Sequence, residues 1–296
     1  MKYYLLLFLL FSFFLTVSVM GQEEDLLSLL EEEERTELVT ASFKTTRVVN
    51  MHSLENVGGG VLDVKISHRF GMINRGVYEL FGLDIASIRI GADYGLSDRL
   101  MIGLGRSSFE KTYDGFIKYK FLRQSTGKKT TPISAALFAS TAIMTLKWQD
   151  PDRENFFSSR LYYTYQLILG RKFSEGFSLQ LSPTVVHRNL IATSTEKNDV
   201  IALGVGGRIK LSKRVTLNAE YIYVAPDQLA PKYRNSFSVG FDIETGGHVF
   251  QLHFTNSTSM IEKGFVTETV GNWGDGGIHF GFNISRVFTI VRPKTD

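Results

Sequence analysis

The sequence contains no cysteine and only six prolines among 296 residues. Without cysteine the chain can form no disulfide and carries no lipid-modified N-terminal cysteine. After its first 21 residues it also has no apolar run near the roughly 20 residues that a membrane helix requires. If the mature chain crosses a membrane, it must therefore do so as a closed barrel, because only helices and barrels satisfy every backbone polar group in lipid.

The long apolar run of the chain is at its N-terminus, where Lys2 precedes the apolar residues 3–19 and the small residue Gly21. This order of charge, apolar run and small residue is typical of a secretory signal. We predict that residues 1–21 are a signal peptide cleaved before Gln22; an uncleaved N-terminal anchor is the alternative. The mature protein is then exported.

The segment 22–60 differs in composition from everything after it. Residues 23–38 place leucines among eight acidic residues and one arginine, for a net charge of −7. This pattern predicts a short amphipathic helix, followed by a polar connector that ends in three glycines. We assign 22–60 to an acidic periplasmic segment and connector. Residues 23–38 are expected to bind a periplasmic protein through their leucines, or to dock at the barrel mouth against basic residues such as Lys118 and Lys210.

From residue 61 onward, apolar and polar residues alternate in twelve segments. Strict alternation indicates extended strands, because successive side chains point to opposite faces. Several segments reach ten to twelve residues, which suits tilted membrane strands of roughly 9 to 11 residues. Odd-numbered connections are mostly long and even-numbered ones mostly short, as in bacterial outer-membrane barrels. We therefore predict an all-β fold, a single transmembrane antiparallel up-and-down β-barrel of about 12 strands over residues 61–290, with a C-terminal tail at 291–296.

The alternation also divides the side chains into an apolar face and a polar face. In a soluble barrel the apolar face would form the core, but long strands, sorted loops and aromatic residues near strand ends favour lipid on the outside. The polar face then lines the lumen. The charged residues predicted to line it are Asp63, Lys65, Arg69, Arg89, Asp93, Lys118, Lys120, Arg160, Arg188, Arg208, Lys210, Glu220, Asp242 and Glu244. Basic residues outnumber acidic ones in this set, which predicts a preference for anions if the lumen conducts.

Three stretches carry a resemblance to a known family: VLDVKISHRFG at 61–71, the run from YELFGLD to FLRQ at 78–124, and GGIHFGFNISRVFTI at 276–290. They resemble an uncharacterised family of bacterial outer-membrane barrels classed as a domain of unknown function. The resemblance extends over nearly all of the chain after the acidic segment. It implies a barrel fold and an outer-membrane location, and it brings no activity, catalytic residue or cofactor.

Motifs that could carry chemistry are weak. The inward-facing His253 and His279 fall on neighbouring predicted strands, but two histidines without a third ligand favour a hydrogen-bonded pair over a metal site. The stretch DPDREN at 150–155 lacks the glycine at the sixth position of a calcium-binding loop. No outward-facing histidine has the neighbouring serine of a barrel phospholipase. We expect no catalytic, cofactor or metal site, and no nucleic-acid partner.

Three functions remain open at this point. The favoured one is a passive or selective pore for small polar solutes, with anions preferred by the predicted lumen charges. The second is a closed structural or assembly barrel with a periplasmic partner, and the least favoured is a membrane-embedded enzyme. A lumen enclosed by 12 strands can be filled by its own side chains, so the fold does not choose between the first two.

Overall fold

The computed structural model describes residues 35–148 and 150–291. Twelve strands form one closed barrel, which confirms the predicted fold. They are β1 (Val61–Met72), β2 (Ala86–Gly95), β3 (Leu100–Ser107), β4 (Thr112–Leu122), β5 (Ser134–Met144), β6 (Leu161–Lys172), β7 (Phe177–Arg188), β8 (Asp199–Lys210), β9 (Val215–Val224), β10 (Ser236–Thr245), β11 (His248–Thr255) and β12 (His279–Thr289). The predicted signal peptide, the predicted acidic helix up to residue 34, and the tail from residue 292 are outside the described residues.

Each strand pairs antiparallel with its neighbours in the chain, and β12 pairs with β1 to close the barrel. At this seam Ile284 is opposite Ile66, and Phe282 is opposite His68 with their rings stacked. Closure leaves no unpaired strand edge, which a hydrocarbon environment would penalise by several kcal/mol for each unsatisfied backbone group. The up-and-down order therefore suits a membrane.

The two faces of each strand differ sharply in exposure. On β2, Ile90 is 56% exposed and points outward, whereas its neighbours in the inward register, Arg89 and Asp93, are 2% and 0% exposed. Leu104 on β3 is 72% exposed on the outer face. An apolar outer surface with charges enclosed inside is stable only when the surrounding solvent is lipid.

None of the described helices combines the length and apolar character needed to cross a bilayer.

Residues 41–57 lie inside the barrel and are here called the plug hairpin. The amide of Val48 donates to the carbonyl of Met51 at 2.8 Å, and that of Ser53 donates to the carbonyl of Thr46 at 2.9 Å. These bonds form a narrow hairpin with its tip at residues 48–51, and the tip residues are buried deep in the lumen. In the sequence this stretch is recognisable only as a polar connector. Its residues pack against the barrel wall and not against a regular neighbouring strand, so they follow no regular pattern of polar and apolar positions.

The plug hairpin enters and leaves the lumen at the short-turn end, which faces the periplasm in outer-membrane barrels. On one side Lys44 bonds Glu244 at the end of β10. On the other, the amide of Gly59 donates to Asp98 in the β2–β3 turn at 3.1 Å. Ahead of the plug hairpin, Glu37–Leu38 pairs with Ser125–Thr126 as a separate two-stranded sheet.

The β11–β12 connection folds into the lumen from the opposite end. It contains the helix α1 (Glu262–Thr267), of which every residue is buried. Ser259, just before α1, is only 6% exposed. A loop that sequence length alone would place in the extracellular medium is therefore part of the barrel interior.

The sorting of loops by length holds with two exceptions. The β3–β4 connection spans only residues 108–111, because Glu110 and Lys111 adopt positive φ values of 53° and 47° and turn the chain tightly. The β4–β5 connection spans residues 123–133 at the short-turn end, where it provides the partner strand for Glu37–Leu38.

Candidate functional site

The lumen and its contents form the candidate site. Most of the predicted lumen charges are enclosed in it: Asp63, Lys65, Arg69, Arg89, Asp93, Lys118, Arg188, Arg208, Glu220 and Asp242 are buried, Lys120 and Arg160 are half-buried, and Lys210 and Glu244 are exposed. The last four lie at strand ends. That these charges select a solute remains a prediction.

Glu220 on β9 holds the tip of the plug hairpin. Its Oε2 accepts hydrogen bonds from the amides of Val49 (3.1 Å) and Met51 (3.0 Å), and its Oε1 accepts one from the amide of Asn50 (2.9 Å). A carboxylate that accepts several backbone amides makes charge-assisted bonds, which are roughly twice as strong as neutral ones. Glu220 is thus the anionic anchor of the hairpin tip.

Cationic wall residues bind the carbonyl groups of the same hairpin. Lys118 Nζ donates to the carbonyls of Ser53 (2.9 Å) and Glu55 (2.5 Å). Arg208 donates to the carbonyls of Ala41 and Ser42, the latter at 2.8 Å. Within the part of the chain that the structure describes, neither cation has an acidic partner at salt-bridge distance, and hairpin carbonyls compensate their buried charges.

Arg69 connects the hairpin to the loop that enters from the other end. Its Nη2 donates to Asn50 Oδ1 at 2.9 Å, and its Nη1 donates to the carbonyl of Ser257 at 2.7 Å. The Arg69 guanidinium therefore binds both segments that enter the lumen, the plug hairpin and the β11–β12 loop. Arginine suits this position because its planar fork presents several donors in fixed directions.

Amide side chains extend the same kind of contact along the wall. Gln180 Nε2 donates to the carbonyl of His52 at 2.7 Å, and Gln251 Nε2 donates to the carbonyl of Val48 at 2.7 Å. Asn283 Nδ2 reaches the carbonyl of Val49 at 3.3 Å. The wall thus meets the hairpin largely through the hairpin's main chain.

Other wall charges compensate one another. Lys65 Nζ is 2.6 Å from Asp63 Oδ2 and 2.5 Å from Asp93 Oδ2. Arg89 pairs with Asp114 on β4 through two bonds, one of them at 2.9 Å. The hairpin adds only the Thr46 hydroxyl to the first group, where it accepts from Lys65 Nζ at 2.6 Å and donates to Asp93 at 3.0 Å. These wall charges therefore compensate one another without a charged group from the hairpin.

At the long-loop end, the two remaining arginines of the predicted lumen set, Arg188 and Arg160, bind residues of the connecting loops. Arg188 Nη1 is 2.9 Å from Glu196 Oε2. Arg160 donates to the carbonyl of Met144 at 2.8 Å and covers the ring of Trp148 at 3.7 Å. Both residues stabilise the rim, and Arg160 lies outside the lumen proper.

Two apolar clusters complete the filling. Met51 at the hairpin tip packs with Phe265 and Val266 of α1 and with Ile222 of β9. Nearer the periplasm, Leu54 packs in a second cluster with wall residues that include Phe116, Phe138 and Ile168. The hairpin tip and α1 therefore meet inside the barrel and close the lumen between them.

The hairpin and α1 are also joined by charge. Arg47 Nη1 is 2.8 Å from Glu262 Oε1, and both side chains are nearly fully buried. One residue further along α1, Lys263 Nζ lies 2.6 Å from Glu110 and 2.7 Å from Glu268. Burial opposes the charge of Lys263, but the two carboxylates outweigh it and raise its pKa. The two closures of the lumen are thus a connected unit.

Little space is left around the hairpin. A cavity of about 20 Å³ lies between the hairpin and the strands on either side of the β12–β1 seam, which is room for about one water molecule. At the periplasmic mouth, a cleft of about 390 Å³ opens beside Lys44 and Glu244. In this conformation the barrel is occluded and has a vestibule on the short-turn side.

Sequence reasoning missed several members of this site. Asp114 has the same strand parity as Lys118, so the alternation rule could have placed it in the lumen. Arg47 and Glu262 carried no such signal, because neither belongs to an alternating segment and their contact joins positions 215 residues apart.

The histidines do not form the hydrogen-bonded pair that the sequence suggests. His279 is bonded to Thr258 Oγ1 at 3.0 Å and to the carbonyl of Phe70 at 2.8 Å, whereas His253 is opposite Gly281 in the register. That expectation is therefore wrong, because the β11–β12 register separates the two rings. Among the described residues no group of three or more His, Cys, Asp or Glu side chains is arranged to hold a metal ion.

The closed barrel, its apolar outer face and its charged interior define a bacterial outer-membrane β-barrel protein. Residues 43–288 match the family model "Membrane bound beta barrel domain (DUF5777)", and the chain belongs to that family. The match begins at Phe43 and so includes most of the plug hairpin. The family resemblance seen in the sequence is confirmed.

Several solved outer-membrane barrels are similar in fold. The NanC porin has a TM-score of 0.48 at 8% identity, over 78% of this chain and 100% of that one. The COG4313 outer membrane channel from Pseudomonas putida F1 scores 0.45 at 14% identity, over 79% and 98%. Omp33 from Acinetobacter baumannii scores 0.41 at 9% identity, over 80% and 100%. These likenesses are too distant to carry an argument about function. No curated protein matches the chain.

Proposed function

We propose that the protein is a gated outer-membrane channel for small polar solutes, held closed by its own plug hairpin, and that it is not an enzyme. The observation that carries this proposal is the bonding of the hairpin to Glu220, Lys118 and Arg208, wall charges that otherwise face an aqueous lumen. A permanent filling would be more stable with apolar partners, since buried charges cost free energy even when they are hydrogen-bonded.

The path of the chain supports a removable plug. The hairpin enters and leaves at the same mouth, beside Glu244 on one side and Asp98 on the other. It can therefore withdraw towards the periplasm without threading through the barrel. Gly60, with φ +75°, turns the chain from the hairpin into β1 in a conformation that glycine adopts without strain.

The charges that withdrawal uncovers support an anionic solute. Arg69, Lys118 and Arg208 on the wall would lose their hairpin partners, and so would two anions, Glu220 on the wall and Glu262 on α1. Lys65 and Arg89 stay paired with wall carboxylates. The hairpin-binding charges on the mid-lumen wall are therefore three cations and one anion, which favours anions at that level.

A periplasmic partner is the expected trigger. The described end of the acidic segment, Glu37–Leu38, is held at the mouth by a two-residue strand pairing and by a hydrogen bond from the amide of Val39 to the carbonyl of Gln124 at 2.9 Å. A protein that binds residues 23–38 and pulls this pairing apart would act directly on the hairpin that follows. Binding of residues 23–38 to such a protein remains part of the proposal.

A second candidate is a permanently closed barrel that serves as a scaffold. The apolar contacts of Met51 with Phe265 and of Leu54 with Phe138 favour it, because they fill the lumen as a core would. The two candidates differ in one measurable property: whether the intact chain ever opens.

A reversible crosslink tests this directly. A Cβ placed on Gly206 of β8 lies 3.2 and 3.3 Å from the two Cγ atoms of Val48. A sulfur on each residue would therefore be close to its partner, as a disulfide requires. Because the chain has no cysteine, the double substitution Val48→Cys and Gly206→Cys creates a single crosslink between plug and wall.

Ion current is then recorded through a planar bilayer, with each single-cysteine variant as a control. The gated channel predicts openings in the reduced protein, their loss on oxidation and their return with dithiothreitol. The single variants should open under both conditions. A reduced protein that stays silent at all voltages, although folded by its heat-modifiable gel mobility, would favour the scaffold.

A further inference from the structure

The wall of the lumen binds the plug hairpin largely through the hairpin's main chain. Side chains of the wall take up a series of its carbonyl and amide groups, and most of these contacts do not involve the hairpin's own side chains. The hairpin carbonyls bound in this way are those of Ala41, Ser42, Val48, Val49, His52, Ser53 and Glu55, and the bound amides are those of Val49, Asn50 and Met51.

Recognition of this kind depends little on sequence. Lys118, Gln180 and Gln251 bind carbonyl oxygens that any residue would present at the same place. Polar side-chain contacts with the wall exist at Lys44, Thr46 and Asn50, and Met51 and Leu54 pack in apolar clusters with wall residues. The ten bound main-chain groups nevertheless outnumber them. The wall therefore holds a polypeptide largely through main-chain hydrogen bonds, as sheet edges do when they bind peptides.

The mixture of donors and acceptors narrows the ligand class. If the hairpin-binding side chains of the wall were only cations and amides, they would suit a phosphate or carboxylate ligand. Glu220 lies among them, however, and it needs N–H donors from the ligand. An inorganic anion would be repelled by Glu220, and it offers no N–H group. A peptide offers carbonyl groups to Lys118 and Arg208 together with amides to Glu220.

We propose that the vacated lumen binds short peptides that can form a turn, and that the plug hairpin occupies the place of this ligand. The inference rests on the proposed function, since the site exists only when the hairpin withdraws.

The test uses the full chain with the Val48→Cys and Gly206→Cys pair, reconstituted in a phospholipid bilayer. The probe is a synthetic peptide with the residues of segment 41–57 in shuffled order. A matched peptide is N-methylated at alternate residues, which removes amide donors and keeps the side chains. Binding is measured by fluorescence anisotropy and by block of the ion current, in the reduced and oxidised states.

The shuffled peptide should bind the reduced protein, and oxidation should weaken binding by about tenfold or more because the hairpin then stays in place. N-methylation should weaken binding to a similar degree, since each lost hydrogen bond to a charged acceptor is expensive. Equal binding of the methylated and unmethylated peptides, or equal binding in the two redox states, would overturn the inference.

The substitution Lys118→Met separates a ligand-binding role from a purely structural one. It removes a hairpin contact and should raise the ion current, yet it should lower the affinity for the shuffled peptide several-fold. A variant in which current and peptide affinity rise together would contradict the proposal. If the reduced protein conducts ions but binds no peptide, the peptide inference is wrong and the proposed channel function stands. If the reduced protein carries no current, the proposed function itself is wrong.

Discussion

The substitution Glu220→Gln is the sharpest test of how the plug hairpin is held. In the native protein, Glu220 Oε2 accepts the amides of Val49 and Met51, and Oε1 accepts that of Asn50. Glutamine keeps one acceptor oxygen and turns the other into an amide donor that faces a hairpin N–H group. One or two of the three hydrogen bonds are then lost, and the amides that made them stay buried.

The magnitude follows from these contacts. Hydrogen bonds to charged groups contribute about 1.5 to 3 kcal/mol each, and glutamine offsets part of the loss because it is less costly to bury than a carboxylate. We expect a net weakening of hairpin docking of about 2 to 4 kcal/mol, or roughly a 30- to 700-fold rise in the ratio of open to closed barrels.

Thiol labelling measures this ratio. Val49 is 2% exposed at the hairpin tip, so a Val49→Cys variant reacts with a membrane-impermeant maleimide only when the hairpin is out. Under fast opening and closing, the labelling rate is proportional to the open fraction. The rate should rise by the factor given above when Glu220→Gln is added.

Glu244→Gln is the matched control. Glu244 also bonds the segment, through Lys44, but its side chain is 54% exposed, and exposed ion pairs contribute about 0 to 1 kcal/mol. Its effect on the labelling rate should therefore be less than about fivefold. Equal rates in the native and Glu220→Gln proteins, or a larger effect at Glu244, would refute the assignment of Glu220 as the anchor.

Four further outcomes are expected. Replacing the outward-facing Val205 by Arg should lower the free energy of unfolding in lipid by roughly 2 to 4 kcal/mol if it lies near the bilayer midplane. Asp152→Arg in an exposed loop should change that free energy by less than about 0.5 kcal/mol. The reverse ranking would show that the lipid-facing and lumen-facing sides are wrongly assigned. The reversal potential of open channels under a salt gradient should indicate anion preference, and a cation preference would rule out the charge argument. An epitope inserted after Arg153 should be labelled on intact cells, and labelling only after permeabilisation would reverse the orientation. Burial raises the pKa of Glu268 to about 7 from 4.5 against the opposing effect of Lys263, so its contribution to docking of the β11–β12 loop is largest below about pH 4.5 and is lost as pH rises through 7. Protease cleavage of that loop should accelerate from about pH 5 to 8, and Glu268→Gln should reduce this dependence; acceleration towards acid would contradict the sign.

The strands and their faces were open to prediction because they depend on a local rule. Period-two alternation assigns Arg89 and Asp93 to one face and Ile90 to the other, whatever their neighbours are. The same rule puts Asp114 in the lumen. It also places Gln180 there, but it gives no sign that Gln180 is 0% exposed and donates to the carbonyl of His52.

The class of this protein, a barrel with lipid outside and charges inside, can be predicted from the sequence because alternation, strand length and loop length are all local properties. That the lumen is full follows from tertiary contacts alone. The contacts that fill it, Arg47 with Glu262 and Glu220 with the hairpin tip, join residues about 170 to 215 positions apart. No periodicity marks such pairs, because an irregular segment satisfies its backbone groups with whichever wall side chains surround it.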